Sequence, residues 1–262
     1  FQEYALYPNM TVRKNMSNVG DVKIRVEGEV ILDTGEVIPI DNDIYFASML
    51  KAKTTPQIDG VLSLGEWDKS TPFVLKYKSQ VQSISDWNGV SDVGGNVYLE
   101  WDNDNLYLAA EINDDINYST DNELKRLWYV DSIQFAFTKE RTATSKRTEY
   151  GIGVLNGETK VERYDFMDVD SGITGMHDKG EYEKDVKLCM NRNEDKKITT
   201  YEASIPWVHI FGKKISPASL TSFYFSLLVN DNDGKSRGWI EYCPGIGWDK
   251  DSTAFIEIPV SK

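Results

Sequence analysis

Apolar and polar residues alternate along residues 94–137, and this alternation constrains the fold more than any other feature of the chain. Val97, Leu99 and Trp101 mark a first run, an Asp- and Asn-rich turn follows, and a second apolar run begins at Leu106. Successive side chains of a β-strand point to opposite faces of a sheet, so a period of two indicates strands. Asp and Asn favour tight turns. The stretch therefore predicts a β-hairpin.

A third strand is predicted where this stretch ends. Between residues 131 and 137, the odd positions are mostly large and apolar, whereas Ser132, Gln134 and Ala136 are small or polar. The strand therefore has one apolar face suited to a core and one face of small and polar side chains. Trp128 lies at the mouth of this strand. A large aromatic at the edge of a loop, beside small and polar residues, can form a shallow carbohydrate groove.

The rest of the chain repeats the short-strand pattern. Alternating or β-branched runs, separated by Gly, Asn or Asp clusters, occupy residues 149–155, 159–164, 186–190, 198–205, 223–230 and 254–260. Helical turns are expected only at residues 62–67 and 206–211. The pattern predicts an all-β chain built as an antiparallel β-sandwich. The lack of long helical periods excludes doubly wound folds and α/β barrels.

Residues 1–46 carry a strand pattern of their own. Alternating runs at residues 22–27 and 37–40 flank a Gly-containing turn at residues 33–36. The segment has too few large apolar residues to fold comfortably as an independent sandwich. We therefore expect an appended N-terminal β segment, alone or as part of an immunoglobulin-like module, followed by the main sandwich at residues 47–262.

Charge narrows the classes of partner. The 262 residues carry a net charge of -13, which repels phosphate backbones and anionic lipid head groups. No run of eighteen apolar residues is present, so no membrane insertion is expected. Aromatic residues are plentiful, with 14 Tyr and 7 Trp. Neutral or cationic ligands fit this chain better than nucleic acid does.

Cysteine and acidic patterns leave two questions open. The 54-residue separation of Cys189 and Cys243 permits a disulfide without requiring one, and buried free thiols are the alternative. Residues 230–234, Asn-Asp-Asn-Asp-Gly preceded by a strand, resemble a calcium loop, but their spacing does not fit an EF-hand. Most of the other acidic pairs lie in turns, which Asx chemistry explains.

No catalytic motif is present. The chain contains no G-x-S-x-G, H-E-x-x-H, P-loop or G-x-G-x-x-G sequence. Its two histidines, His177 and His209, are isolated, and His209 lies in a short apolar run typical of packed residues. Paired carboxylates are uninformative in a chain with 42 acidic residues. We predict no turnover by this chain alone.

A series of short motifs resembles the family 9 carbohydrate-binding modules over residues 47–262. The motifs follow the order of that family: residues 56–62 (PQIDGVL), 65–67 (GEW), 99–102 (LEWD), 106–108 (LYL), 114–115 (DD), 128 with 131–132 (W, DS), 201–207 (YEASIPW), 229–231 (VND) and 249–251 (DKD). Each motif alone is unspecific, and the specificity lies in their common order. The resemblance implies a β-sandwich, in agreement with the strand pattern.

The resemblance also implies a ligand site. Sugar-binding members hold the sugar between two tryptophan faces, and the matching positions here are Trp128 and Trp248. Members carry an acidic residue on the next strand, where this chain has Gln134. Members also carry an arginine on the following strand, and this chain has no clear match to it. Arg147 and Glu149 are the two candidates for that position, and we take Glu149 as the ligand-binding candidate.

Trp87 is a further ligand candidate that rests on the local sequence. It lies in a polar loop at residues 83–89, where a large aromatic is hard to explain as core. Trp67, Trp101 and Trp207 have apolar neighbours instead, and we predict that they pack in the core.

The family resemblance implies a biological setting as well. It predicts an accessory module of a secreted or cell-surface bacterial protein, such as a multidomain glycoside hydrolase, whose partners are plant cell-wall oligo- or polysaccharides and the other domains of that polypeptide. No cofactor is required, although such modules can carry structural calcium.

Two other functions are compatible with the sequence. The sandwich can be a structural or cell-surface interaction module without a sugar pocket. It can also be a haem-binding electron-transfer domain, with Met167, Met176 and His177 as candidate ligands, but their surroundings lack the apolar bulk needed to enclose a porphyrin.

Overall fold

Two β-sheets packed face to face form the main body of the chain. The computed structural model describes residues 23–45, 47–123, 125–142, 146–167, 182–212, 217–248 and 250–260. Fifteen strands and two short helices lie in these ranges: β1 (Lys23–Ile31), β2 (Val37–Tyr45), β3 (Met49–Lys51), β4 (Phe73–Leu75), β5 (Val81–Gln82), β6 (Val93–Trp101), β7 (Asn105–Asp114), β8 (Ser132–Thr138), β9 (Thr148–Leu155), β10 (Glu158–Asp165), α1 (Tyr182–Asp185), β11 (Lys187–Asn193), β12 (Ile198–Pro206), α2 (Trp207–Phe211), β13 (Ser222–Asp231), β14 (Gly238–Glu241) and β15 (Ile256–Pro259).

The strand order identifies the architecture. A seven-stranded sheet has the order β10-β9-β8-β13-β14-β5, with β15 also paired to β13, and a six-stranded sheet has the order β11-β12-β7-β6-β3, with β4 also paired to β6. Within these two sheets, every described pair is antiparallel except β3 with β6. The predicted all-β antiparallel sandwich is confirmed.

The alternation along residues 94–137 has the predicted structural meaning. Strands β6 and β7 pair antiparallel through the turn at residues 102–104. The Asp102 carboxylate holds this turn, because its Oδ1 accepts from the amides of Asp104 and Asn105 at 2.8 Å. On β8, the odd-numbered apolar residues pack in the core between the sheets, and Gln134 lies on the opposite face.

The structure differs from the sequence prediction at several short elements. Residues 62–67 form a turn closed by a 3.2 Å bond from the amide of Glu66 to the carbonyl of Ser63, not a helical turn. Helix α2 forms as predicted and ends at Gly212, whose φ of 77° suits glycine. Strands β3, β4, β5 and β14 escape the sequence pattern, since two to four residues are too few to establish an alternation.

The N-terminal segment forms a hairpin of its own. Strands β1 and β2 pair antiparallel in a separate two-stranded sheet. Gly35 adopts a φ of 82° in the connecting turn, and its amide donates to the carbonyl of Leu32 at 2.9 Å. Residues 1–22 and residue 46 lie outside the described residues. The division at residues 46 and 47 and the immunoglobulin-like assignment stay predictions.

A buried glutamate fastens the loop at residues 56–67 onto the outer face of the six-stranded sheet. Glu202 Oε2 accepts from the consecutive amides of Asp59, Gly60 and Val61 at 3.1, 2.7 and 3.2 Å. Its Oε1 accepts from the indole nitrogen of Trp67 at 2.8 Å. A buried carboxylate needs such donors, because an unpaired one would strongly destabilise the fold. The contact explains why the PQIDG and GEW motifs occur together with the YEASIPW motif.

We expect Glu202→Gln to lower the free energy of unfolding by about 2–3 kcal/mol, because the amide loses charge-assisted bonds and points a donor at other donors. Urea unfolding followed by tryptophan fluorescence measures this change. Glu158→Gln is the matched control, because the Glu158 side chain is 71% exposed at the first residue of β10, and it should change stability by less than about 0.5 kcal/mol. A Glu202→Gln loss no larger than that of the control contradicts the assigned role.

A second buried glutamate, Glu100 on β6, makes stability depend on pH. Its Oε1 accepts from the amide of Asp68 at 2.6 Å, whereas its Oε2 has no hydrogen-bond partner among the described residues. Burial raises the pKa of Glu100 to about 7. The folded chain therefore holds this proton at a pH where the unfolded chain has released it.

We expect the Glu100 contribution to stability to be complete below pH 4.5 and to be lost as the pH rises towards 7, since the folded pKa lies above the unfolded value. Glu100→Gln keeps the acceptor for Asp68 without a charge. The variant should match the wild type near pH 5 and exceed its unfolding free energy by roughly 2–3 kcal/mol near pH 7.5. Urea unfolding across this pH range gives the comparison. Parallel curves for the two proteins would contradict the expectation.

Candidate functional site

A cavity of about 380 Å³ lies on the outer face of the seven-stranded sheet. Strands β8 and β9 provide its floor, and two of its walls come from the loop at residues 126–130 and from residues 242–248 with Lys250. The lining residues are Trp128, Gln134, Arg147, Glu149, Tyr164, Arg237, Ile246, Gly247, Trp248 and Lys250. The cavity volume lies within the range of roughly 300–1,000 Å³ that is common for small-molecule sites.

Two tryptophans form apolar surfaces of this cavity. Trp128 lies in the short 3₁₀ turn Leu127–Tyr129, which the fully buried side chain of Leu127 anchors. Trp248 is 72% exposed and contacts the buried Trp239 ring edge-to-face at 5.0 Å. An indole that remains so exposed, on a wall of a cavity, offers apolar surface to a ligand.

Glycine allows the loop that carries Trp248 to lie close to the sheet. A Cβ atom at Gly247 would come within 2.6 Å of the Trp239 indole, so only glycine fits against this ring. Trp239 is itself fixed by a 2.9 Å bond from its indole nitrogen to Glu241 Oε2. The position of the exposed Trp248 therefore depends on a rigid, buried aromatic beneath it.

Hydrogen bonds join the polar residues of the floor. The side-chain amide of Asn230, on β13, donates to Ser132 Oγ at 2.9 Å and to Gln134 Oε1 at 3.0 Å. Gln134 in turn donates to Glu149 Oε1 at 3.3 Å. Because the strands on both sides fix these side chains, the floor presents polar groups in defined positions.

Glu149 is the acidic centre of the cavity. It is fully buried, and its Oε1 accepts from Lys250 Nζ at 2.6 Å while its Oε2 accepts from Arg147 Nε at 3.0 Å. Arg147 also pairs with Asp165 at 3.2 Å. Two cations therefore compensate the buried carboxylate and hold it in place.

Arg237 lies between the rings of Trp128 and the buried Trp239. Its guanidinium carbon is 4.4 Å from the centre of the Trp239 ring and 5.3 Å from that of Trp128. Its Nε donates to Asn230 Oδ1 at 2.8 Å and its Nη2 to Gln134 Oε1 at 3.3 Å. Burial lowers the pKa of Arg237 to about 10, which leaves the group charged at neutral pH.

The structure brings together four of the five residues predicted from the sequence. Trp128, Trp248, Gln134 and Glu149 line the cavity. Trp87 lies elsewhere, packed partly against the main core, with its indole nitrogen bonded to the carbonyl of Val93 at 3.0 Å. The ligand-binding roles of all five stay predictions. The core positions of Trp67, Trp101 and Trp207 agree with the packing predicted for them.

Sequence reasoning missed Arg237, Tyr164 and Lys250 as cavity residues. Tyr164 packs on Gly151, where a Cβ atom would come within 2.5 Å of the tyrosine hydroxyl. Burial, followed by the charge of Glu162, raises the pKa of Tyr164 well above its usual value, so its hydroxyl stays protonated. Lys250 lies within the DKD motif, which could have drawn attention to it. Arg237 carries no comparable local signal.

A cluster of aspartates lies where strand ends of the two sheets meet. Carboxylate oxygens of Asp92, Asp115 and Asp233 lie within 4.8 Å of one another. Asp231 is buried beside them, and its Oδ1 has no hydrogen-bond partner among the described residues. Burial, and then the charges of Asp233 and Asp114, raise the pKa of Asp231 to about 8. Hard oxygen donors and an unsatisfied buried carboxylate fit a calcium ion.

The remaining sequence expectations concern the two cysteines, the candidate haem ligands, His209 and membrane insertion. Cys189 and Cys243 are both free. Met167 is buried within the main core, while Met176 and His177 lie outside the described residues. His209 bonds through Nε2 to Asp185 Oδ2 at 2.9 Å. Among the described residues, no helix is long and apolar enough to cross a membrane.

Comparison with known proteins places these features in a family. The family described as "Carbohydrate family 9 binding domain-like" matches residues 58–252. No curated protein matches this chain.

Solved structures support the same architecture. A carbohydrate-binding module of family 9 from Caldicellulosiruptor kristjanssonii, in complex with glucose, is 18% identical with a TM-score of 0.53, covering 81% of this chain and 94% of its own. The module in complex with cellotriose gives 18% identity and a TM-score of 0.51, with 81% and 92% covered. A putative carbohydrate-binding protein from Bacteroides uniformis is 11% identical with a TM-score of 0.55, with 82% and 99% covered. At these identities the likeness establishes the fold.

Proposed function

Since this chain belongs to the carbohydrate family 9 binding domain-like family, we propose that it binds a carbohydrate in the cavity on its seven-stranded sheet and does not catalyse a reaction. The single observation that carries this proposal is the pairing of two tryptophan surfaces with a fixed polar floor in one cavity. The proposed ligand residues are Trp128, Trp248, Gln134 and Glu149.

The chemistry of a sugar ring matches this lining. The faces of a pyranose ring present C–H groups, and its rim presents hydroxyls. Indole planes cover the C–H faces, and Trp248 is exposed enough to do so without rearranging the core. A hydroxyl both donates and accepts, so a floor that contains the Gln134 amide and the Glu149 carboxylate can satisfy it on burial.

The polar floor also argues for binding rather than reaction. Glu149 is held by Lys250 and Arg147, so it is a fixed acceptor that hydroxyls can use. A glycosidase requires a second carboxylate across the scissile bond, and the only acidic residue among the cavity-lining residues described is Glu149. The lining therefore supports a site that holds a sugar ring unchanged.

The family membership supports a wider proposal about setting. We propose that the chain is an accessory module of a secreted or cell-surface bacterial protein that degrades plant cell-wall polysaccharides. The relatives solved with glucose and cellotriose make a β-glucan chain the first ligand to test. Affinity should be modest, with a dissociation constant on the order of micromolar to millimolar, because one small site buries little ligand.

We expect Trp248→Ala and Trp128→Ala each to weaken binding of cellotriose at least about tenfold, because each removes one apolar surface of the cavity. Isothermal titration calorimetry measures the affinities, with xylan and mannan oligosaccharides tested alongside. Tyr77→Ala removes an exposed aromatic outside the cavity lining and should leave affinity unchanged. Trp87→Phe should also leave it unchanged.

Two outcomes would count against this proposal. Folded wild-type protein that binds none of these oligosaccharides would favour a structural or cell-surface interaction module. Binding that is unaffected by both alanine variants would place the sugar somewhere other than this cavity.

We also propose that Asp92, Asp115 and Asp233, with the buried Asp231 beside them, hold a structural calcium ion. A calcium ion takes six to eight oxygen ligands, and its charge would offset the mutual repulsion of these carboxylates. The three nearest ligands lie on separate loops at one end of the sandwich, so a bound ion would tie the two sheets together.

We expect calcium to raise the melting temperature of the wild-type protein relative to protein in EDTA. When calcium is in hundredfold excess over its dissociation constant, binding should add about 2.7 kcal/mol to the free energy of unfolding. Asp233→Asn should remove this increment and make the metal-free protein more stable, because it lowers the repulsion around Asp231. Asp195→Asn, at an exposed turn, should behave as the wild type does. No difference between calcium and EDTA in the wild type would refute the proposal.

A further inference from the structure

The cavity carries an excess of positive charge, although the chain as a whole is strongly negative. Its lining contains three basic residues, Arg147, Arg237 and Lys250, and one acidic residue, Glu149. The net charge of the chain is -13, so a site that was built at random from its residues would be acidic. The local reversal of sign indicates a ligand that carries negative charge.

The ion pairs identify which cation is left over. Lys250 pairs with Glu149 at 2.6 Å, and Arg147 pairs with Asp165 at 3.2 Å as well as with Glu149 at 3.0 Å. Two carboxylates thus compensate two cations. Among the described residues, no carboxylate lies within 4.0 Å of the Arg237 guanidinium, and its two hydrogen bonds go to the neutral amide oxygens of Gln134 and Asn230.

Arg237 is also costly to keep in this position. The aromatic rings of Trp128 and Trp239 enclose it, and its burial lowers its pKa. Glu149 attracts Arg237 from a distance, but no carboxylate among the described residues contacts the guanidinium. A partly buried cation without a carboxylate in contact loses hydration that neutral amides only partly replace. Glu162, an acidic side chain beyond the lining, interacts with the Tyr164 hydroxyl, and burial followed by this charge raises the pKa of that tyrosine.

Two cavity residues, Arg237 and Lys250, have N–H groups that can still donate to a ligand. No described residue accepts from Nη1 of Arg237. Lys250 Nζ donates to Glu149 and to the carbonyl of Ile246 at 2.8 Å, and an ammonium has a third proton to donate. These groups are linked through Gln134 and Glu149, so a planar anion at the cavity floor can accept from both sides of one hydrogen-bond network.

We propose that the cavity selects a sugar that bears a carboxylate, a uronic acid, whose carboxylate accepts from Arg237 with support from Lys250. This inference rests on the proposed sugar-binding function and specifies its ligand class. Trp128 and Trp248 would cover the ring faces, and the sugar carboxylate would supply the direct carboxylate contact that Arg237 lacks among the described residues. A carboxylate is itself planar and therefore also matches the planar guanidinium that lies between the Trp128 and Trp239 indoles.

Matched monosaccharides test the proposal directly. Glucuronic acid and glucose differ only at C6, as do galacturonic acid and galactose, and with a single ring the carboxylate must itself occupy the cavity. Titrations followed by NMR of the tryptophan indole N–H signals give the affinities. We expect each acid to bind at least tenfold more tightly than its neutral partner at about 20 mM NaCl, and the preference to shrink at about 500 mM NaCl because salt screens the charge. The two pairs distinguish glucuronate from galacturonate as the better ligand.

Single substitutions test which residue produces the preference for the acidic sugars. Arg237→Gln should abolish the preference, so that each acid binds no more tightly than its neutral partner, and Lys250→Gln should reduce the preference. Lys235→Gln removes a positive charge two residues away, where the lysine pairs with Asp86 at 3.5 Å outside the cavity lining, and should change nothing. Melting curves check that each variant is folded.

The outcomes separate this inference from the function on which it rests. If cellotriose binds and the acids bind no better than the neutral sugars, the uronic-acid proposal is wrong and sugar binding stands. Equal loss of acidic and neutral ligands in folded Arg237→Gln would likewise refute it, since the arginine would then only support the tryptophans. If folded wild type binds neither cellotriose nor any of the four monosaccharides, both proposals fail.

Discussion

Strand β8 is buried on both faces, and this constraint shapes the structure around it. One face packs Ile133, Phe135 and Phe137 into the core between the sheets. The other face carries Ser132 and Gln134, which cannot be left buried without hydrogen-bond partners. Side chains from β9, β13 and the loops above the sheet meet this need, and the cavity forms where they converge. The candidate site is therefore a consequence of completing the polar face of one central strand.

The six-stranded sheet solves a similar problem without forming a site. Its outer face carries Glu202, whose carboxylate is used entirely by the amides of the loop at residues 56–67 and by Trp67. In the cavity, by contrast, Glu149 is balanced by side chains that keep further donors free. Both carboxylates are fully buried, but of the two only Glu149 lines the cavity. Burial alone thus does not distinguish a carboxylate that fastens a loop from one that lines a cavity.

The sequence predicted those features that depend on local pattern. Alternation identified β6, β7 and β8 and assigned the faces of β8, because strand geometry repeats every two residues. Motif order identified Trp128, Trp248 and Gln134 as a group, although they come from distant parts of the chain. Arg237 was missed because its distinguishing feature is that no described carboxylate contacts it, and contacts between distant parts of the chain are seen only in the packed structure. The aspartate cluster was missed for a related reason, since Asp92, Asp115 and Asp233 meet only when strands of both sheets end together.

The division of the cavity between sheet and loops has an evolutionary consequence. The floor belongs to strands whose register is fixed by pairing on both sides, whereas Trp128 and Trp248 lie on loops at residues 126–130 and 242–248. Loops tolerate substitution and changes of length far better than paired strands do. Substitutions or length changes in these two loops can therefore alter the shape of the cavity during evolution, while the sequences of the paired strands that specify the fold stay unchanged.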